Sequence, residues 1–219
     1  MKLAYFNDFS LGVVRESHII DVSSIVEDIP HLGPHDLISG LIERWPHYRE
    51  LLEEKSNSSN GIPLGEVELR APLPRPGKIL CMARNFIESP GEEIQSLNAF
   101  LKSPNAVNGP GSTVVLPSAP ATIFEHEAEL AIVIGKRASH IKATDAYDHI
   151  FGYVNFMDIS ARGLSEGNLA TDTFFAGKSW HTFAPMGPYL VTAEEVLAPQ
   201  HLQVKLWVNN ELRQDYSMT

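Results

Sequence analysis

Short apolar runs separated by polar turns dominate the chain, and their period changes only once. KLAYF (2–6), LGVV (11–14) and HIIDVS (18–23) predict three short strands. From Asp36 to Lys55 the period lengthens to that of a helix. Leu37, Leu41 and Ile42 share one face and Leu51 and Leu52 continue it. Asp36 is a candidate N-cap, and Pro46 predicts a kink or a split. The polar stretch KSNSSNG (55–61) then predicts a boundary, giving an N-terminal α/β module over 1–65 and a larger domain over 66–219. In that domain VEL (67–69), KILCMA (78–83), TVVL (113–116), ELAIVIG (129–135), FGYVNFM (151–157), YLVT (189–192) and QVKLWVN (203–209) predict strands. Short helices are predicted only at 92–100, 143–149 and 193–196. Long connections rich in Pro and Gly join them. The balance predicts a mostly-β, α+β fold and not a doubly wound sheet, with function carried by the long loops.

Composition narrows the function. With 43% hydrophobic residues the chain can fill a core, and 219 residues allow one large domain or one with a small appendage. Seventeen basic against 27 acidic residues give a net charge of −10, which repels phosphate backbones and argues against nucleic-acid binding. No apolar run approaches the roughly 20 residues of a membrane helix, and MKLAYFNDF does not read as a signal peptide, so a cytoplasmic location is expected. The one cysteine, Cys81, excludes an internal disulfide and a Cys-rich metal cage. Inside an apolar strand, it is expected to be buried and inert.

The stretch Phe124 to Gly135 is the richest in chemistry. Read as one strand, it places Glu125, Glu127 and Glu129 on one side, continued by the apolar Ala131 and Val133. Carboxylates stacked beside a core repel one another and lose hydration unless a cation compensates. An exposed acidic edge strand would show the same spacing. The strand's apolar content argues against an edge, and Asp158 sits in a similar setting downstream. Glu127, Glu129 and Asp158 together offer three hard oxygen donors, suited to Mg2+, Mn2+ or Ca2+ and poorly suited to zinc. The nine histidines show no comparable spacing: Gly33 and Pro34 separate His31 from His35. Asn108–Ser112 reads as a turn, and Asp145 and Asp172 as surface or capping acids.

These residues carry a resemblance. Glu127-Ala128-Glu129-Leu130, Val133-Ile134-Gly135-Lys136, Gly152-Tyr153, Asp158-Ile159-Ser160-Ala161-Arg162, Gly177-Lys178-Ser179 and Pro185-Met186-Gly187-Pro188 follow one another in the order of the fumarylacetoacetate hydrolase family. Trp207 to Glu211 with Gln214, Lys78 to Phe86, and Phe100-Leu101-Lys102-Ser103-Pro104 extend the likeness over about 74–219. The resemblance implies a mixed β-roll or barrel core and a divalent ion held by Glu127, Glu129 and Asp158. It also implies a small anionic 2-oxo acid substrate engaged by Arg162, Lys178 and Lys102, and a homodimer. Three carboxylates and one divalent ion leave a single negative charge, so an anionic substrate needs those cations. The implied activity is hydrolysis of a C–C bond in an acylpyruvate-type acid, with Glu92 and Lys178 as catalytic residues.

Two departures qualify that activity. Where many hydrolases of the family carry Asn-Tyr-x-x-His-x-x-Glu, this chain has Phe86 at the Tyr, Ser89 at the His and Glu92 at the Glu. A serine without a base cannot take a proton from water near neutral pH. Isomerisation, decarboxylation or dehydration of a 2-oxo acid, or binding without turnover, therefore stands beside hydrolysis. Ser165 replaces the Gln usual three residues after the Arg. The family also continues past the Gln214 segment with further strands, so a truncated domain that is poorly active or aggregates on its own is expected.

Overall fold

The structure is a computed structural model that describes residues 1–83, 85–86, 93, 96, 98–164 and 173–219. Its centre is an open, antiparallel eight-stranded sheet. From one edge the strands run Ala128–Ile134, Ile150–Met157, Leu190–Thr192, Lys2–Phe6, Ser10–Arg15, His18–Asp21 and Ile62–Pro63. Leu69–Arg70 pairs with the end of Lys2–Phe6. Separate ribbons join Ile79–Met82 to Ala99–Lys102, Ile123–Glu125 to Ser160–Arg162, and Gln203–Val208 to Glu211–Ser217. The mostly-β, α+β class is the one read from the sequence, and the described strands do not close into a barrel.

Alternation in the first strand explains the two-layered core. Leu3 and Tyr5 point to one face, where they join Leu37, Ile38, Leu41, Tyr48 and Leu52 of the helices. Ala4 and Phe6 point to the other and pack with Val14, Ile19 and Leu69. The strands on either side of the predicted 55–61 boundary share this sheet, with Leu3 opposite Leu190. The N-terminal ammonium reaches Thr192 Oγ1 at 2.7 Å and Glu195 at 2.6 Å.

The helical region is two helices, Pro34–Glu43 and Trp45–Ser58. Pro46 sits in the first turn of the second, where a missing N–H costs nothing, so it splits the run instead of kinking it. Asp36 is not the N-cap. Gly33 holds that position, and the Asp36 carboxylate accepts the Leu32 N–H at 3.1 Å. The strand predicted at 113–116 does not form; the Val115 N–H is instead donated to Thr182 Oγ1 at 2.8 Å. At the end of the predicted 92–100 helix, Ala99 and Phe100 belong to a strand, because their alternation serves the Ile79–Met82 ribbon. A helix over Thr173–Lys178 was not legible in the sequence. No helix among the described residues is long and apolar enough to cross a membrane.

Gly152 marks where the sheet is tightest: a Cβ there would lie 2.2 Å from the Val191 carbonyl oxygen. Gly152→Ala must therefore push apart the strands that join the two halves of the sheet. Thermal or denaturant unfolding should show a loss of about 1–3 kcal/mol. A variant as stable as the parent would contradict this packing.

Candidate active site

The site is built at an interruption in a two-stranded ribbon. Ala128–Ile134 pairs with Ile150–Met157, Glu129 lying opposite Phe156. Ile123–Glu125 pairs with Ser160–Arg162, Ser160 lying opposite Glu125. Between the two ladders lie His126–Glu127 and Asp158–Ile159, where the Asp158 N–H donates to the Glu127 carbonyl at 2.8 Å. Ile159 turns aside there, giving its N–H to the Phe183 carbonyl at 3.1 Å, while its own carbonyl accepts from Lys102 Nζ at 3.1 Å. The acidic run is thus not the single regular strand that the sequence suggests. Glu125 lies in one arm, Glu127 in the gap and Glu129 in the other arm. Nor does its apolar content keep Ala128–Ile134 away from the sheet edge. That edge is braced by side chains of the last hairpin: Gln214 accepts the Ala128 N–H and Tyr216 donates to the Ala128 carbonyl, both at 2.7 Å.

Five of the residues singled out in the sequence meet in this gap. Lys102 Nζ donates to Asp158 Oδ1 at 2.6 Å and Lys178 Nζ to Asp158 Oδ2 at 2.5 Å. Lys178 Nζ also reaches Glu127 Oε2 at 2.6 Å, so one ammonium lies between two carboxylates. Arg162 bridges Glu127 Oε1 at 2.5 Å and Glu125 Oε2 at 2.6 Å. The Lys102 and Asp158 side chains are 0% and 1% exposed, whereas Arg162 is 41% exposed. Burial alone would lower both lysines. For Lys102 it prevails and its pKa falls; for Lys178 the Asp158 and Glu127 carboxylates outweigh it and its pKa rises.

Glu129, the sixth, stands apart. Its carboxylate makes no hydrogen bond or ion pair with a described residue, and burial, reinforced by Asp158, pushes its pKa up to about 8. The seventh, Glu92, lies outside the described residues, as do Ser89 and Ser165. The sequence reading missed Ser160, a fully buried residue whose hydroxyl lies 3.0 Å from both Glu127 Oε1 and the Asp158 carbonyl. Its signal was the i, i+2 spacing of Asp158, Ser160 and Arg162. The reading also missed the location of Cys81. That thiol is buried as expected, yet its sulfur lies within 4.8 Å of carboxylate oxygens of Glu129 and Asp158. Burial and those two acids push it up to about 12.

The acids are of the type that holds a hard divalent ion. Glu129 and Asp158 bring carboxylate oxygens within 4.8 Å of each other, whereas Glu127 meets Asp158 through Lys178 Nζ. Among the described residues Glu129 has no hydrogen-bond donor, and each Asp158 oxygen keeps a second lone pair beyond its lysine. The surrounding packing fixes the cations. Phe100 stacks on Phe174 at 4.9 Å and lies 5.0 Å under Lys178 Nζ. Gly177 lets the helix carrying Lys178 touch the other arm, since a Cβ there would sit 2.7 Å from the Ala161 carbonyl.

Two buried ammonium groups depend on one carboxylate, so Asp158→Asn should cost about 3–5 kcal/mol in denaturant unfolding. Gly177→Ala should instead weaken the site by displacing Lys178, at about 1–3 kcal/mol. An Asp158→Asn variant as stable as the parent would refute the ion-pair network.

Comparison with known proteins identifies the family. Residues 78–219 match the profile described as fumarylacetoacetate (FAA) hydrolase C-terminal. The chain is 39% identical over 230 aligned residues to the oxaloacetate tautomerase YisK of Bacillus subtilis (strain 168), covering 97% of this chain and 75% of that protein. It is 36% identical over 157 residues to the human mitochondrial oxaloacetate tautomerase FAHD2A, covering 70% of this chain and 49% of the relative. Among solved structures, maleylpyruvate hydrolase from Sphingobium sp. SYK-6, in complex with manganese(II) and pyruvate, superposes with a TM-score of 0.86 at 35% identity. That match covers all of this chain and 77% of the other. The chain thus spans about three quarters of some relatives and half of others. On the strength of its profile match, its sequence relatives and its fold, it belongs to the fumarylacetoacetate hydrolase family.

Proposed function

We propose that this chain carries a divalent-metal-dependent catalytic centre for a small anionic 2-oxo acid, and that its reaction is proton transfer between keto and enol forms. The observation that carries the reading is the convergence of Lys102, Lys178 and Arg162 on Glu127 and Asp158, with Glu129, unpaired among the described residues, beside them. Glu127, Glu129 and Asp158 would hold the ion. When bound, it supplies Lewis acidity toward the substrate's 2-oxo oxygen. Four carboxylates, Glu125 included, face three cations, so a divalent charge would turn the cluster net positive, as a dianionic substrate requires.

The cations divide their work by exposure. Lys102 is enclosed and donates to Asp158 and the Ile159 carbonyl, so it positions Asp158. Arg162 is the solvent-exposed member, and its planar fork suits a substrate carboxylate. Lys178 Nζ carries a charge that would stabilise negative charge developing on the substrate oxygen. Tautomerisation needs a proton removed and returned but no activated water, which accords with Ser89 at the position of the family's histidine. Glu92 is the carboxylate we assign to that proton transfer. The Bacillus and human relatives are named for oxaloacetate tautomerisation.

The likeness to maleylpyruvate hydrolase favours a second reading, C–C hydrolysis of an acylpyruvate. Product analysis separates the two. With Mg2+ or Mn2+, enol oxaloacetate should lose its ultraviolet absorbance faster with the protein than without it, and no pyruvate should accumulate. EDTA should abolish the effect, and Glu127→Gln or Arg162→Ala should slow it by about 100-fold or more. Cleavage of acylpyruvates to pyruvate and a free acid, without tautomerisation, would select the hydrolase reading. Failure to bind Mn2+ would overturn the metal centre altogether.

A further inference from the structure

We infer that Cys81, Glu129 and Asp158 form a second, mixed sulfur–oxygen donor set beside the same ion-pair cluster, one that takes a thiophilic divalent ion such as Zn2+ or Cd2+. The placement follows from strand pairing. In the ribbon Ile79–Met82 with Ala99–Lys102, Cys81 lies opposite Phe100 and Ile79 opposite Lys102. Alternation puts these four side chains on one face and sends Leu80 and Leu101 to the other, where they are exposed. The face bearing Lys102 is the one that meets Asp158, so Cys81 is carried to the carboxylates with it.

Three features make this a donor set and not a lone thiol. The Cys81 sulfur and one oxygen each from Glu129 and Asp158 all lie within 4.8 Å of one another. Tetrahedral zinc with bonds of roughly 2.3 Å to sulfur and 2.1 Å to oxygen sets its donors about 3.4–3.6 Å apart, so side-chain movement of up to roughly an ångström closes the set. Cys81 is 5% exposed, and neither it nor Glu129 makes a hydrogen bond or ion pair with a described residue. Glu127, by contrast, is already engaged by Ser160, Arg162 and Lys178. Glu129 and Asp158 are therefore shared between two sets. With Glu127 they offer only hard oxygens; with Cys81 they offer sulfur and two oxygens. Ligand softness decides which set an ion takes. On binding, the S–H bond breaks, a sulfur–metal bond forms and the proton leaves to solvent, with no change of oxidation state.

The inference extends the hard-ion reading, from which it borrows Glu129 and Asp158, but it is measured without turnover. Titrating the folded chain with Cd2+ should raise an ultraviolet sulfur-to-cadmium charge-transfer band at one equivalent. Cys81 is the only cysteine, so the band reports on it alone. In parallel, Mn2+ bound to the protein should be followed by electron paramagnetic resonance, and Cd2+ should displace it. Cys81→Ser should lose the band and bind Cd2+ at least about tenfold more weakly while keeping its Mn2+ affinity. Glu129→Gln should weaken both ions. Absence of the band in the parent chain overturns the inference, as does Cd2+ that leaves bound Mn2+ in place; neither result needs the Cys81 variant to fold. Mn2+ binding without the band leaves the hard-ion reading intact, whereas failure of both ions to bind removes both.

Discussion

Asp158 is almost wholly enclosed by protein, and a carboxylate so placed costs several kcal/mol unless opposite charge reaches it. Lys102 and Lys178 reach its two oxygens from different parts of the chain, one from the strand Ala99–Lys102 and one from the helix Thr173–Lys178. Each lysine is itself buried and would be costly without Asp158. This mutual dependence ties together three segments that share no backbone ladder, and the geometry of the site follows from it. The ribbon gap exists where Ile159 leaves its regular pairing to bond Phe183 and Lys102.

A second constraint acts at the edge of the sheet. The strand bearing Glu129 is the sheet edge, so the Ala128 N–H and carbonyl, on its free side opposite the Met157 pairing, need partners from outside the ladder. Gln214 and Tyr216 satisfy them from the hairpin Gln203–Val208 and Glu211–Ser217. The hairpin thereby anchors the arm from which Glu129 projects. Gly177 and Gly152 act in the same sense, each allowing a close backbone approach that a side chain would prevent.

Chemically, the centre combines a nearly balanced set of fixed charges with one carboxylate, Glu129, that has no committed partner among the described residues. Fixed, desolvated charges are where electrostatic stabilisation is strongest, because they need not reorganise when charge moves on a substrate. Two donors of different softness, Glu127 and Cys81, flank the shared pair Glu129 and Asp158. On the proposed reading, ion identity becomes a question of which flank an ion prefers, a property of side-chain chemistry as well as of shape.

The ladder strands were legible because alternation over four or more residues reports burial directly, and the helices of the N-terminal region because Pro46 and the leucine spacing leave few alternatives. Glu127, Glu129 and Asp158 were legible as carboxylates set beside apolar stretches, whereas Arg162, Lys102 and Lys178 were marked only by the family resemblance. Their arrangement was not. A ribbon gap leaves no mark in local pattern, so Glu125, Glu127 and Glu129 looked like one face of one strand. Cys81 looked inert because its neighbours in sequence are apolar, while its neighbours in space are Glu129 and Asp158. The sequence by itself determined which chemical groups are present and which strands bury them; only the tertiary structure decided which groups touch, because contacts between residues 81, 102, 129, 158 and 178 depend on how separate ladders pack.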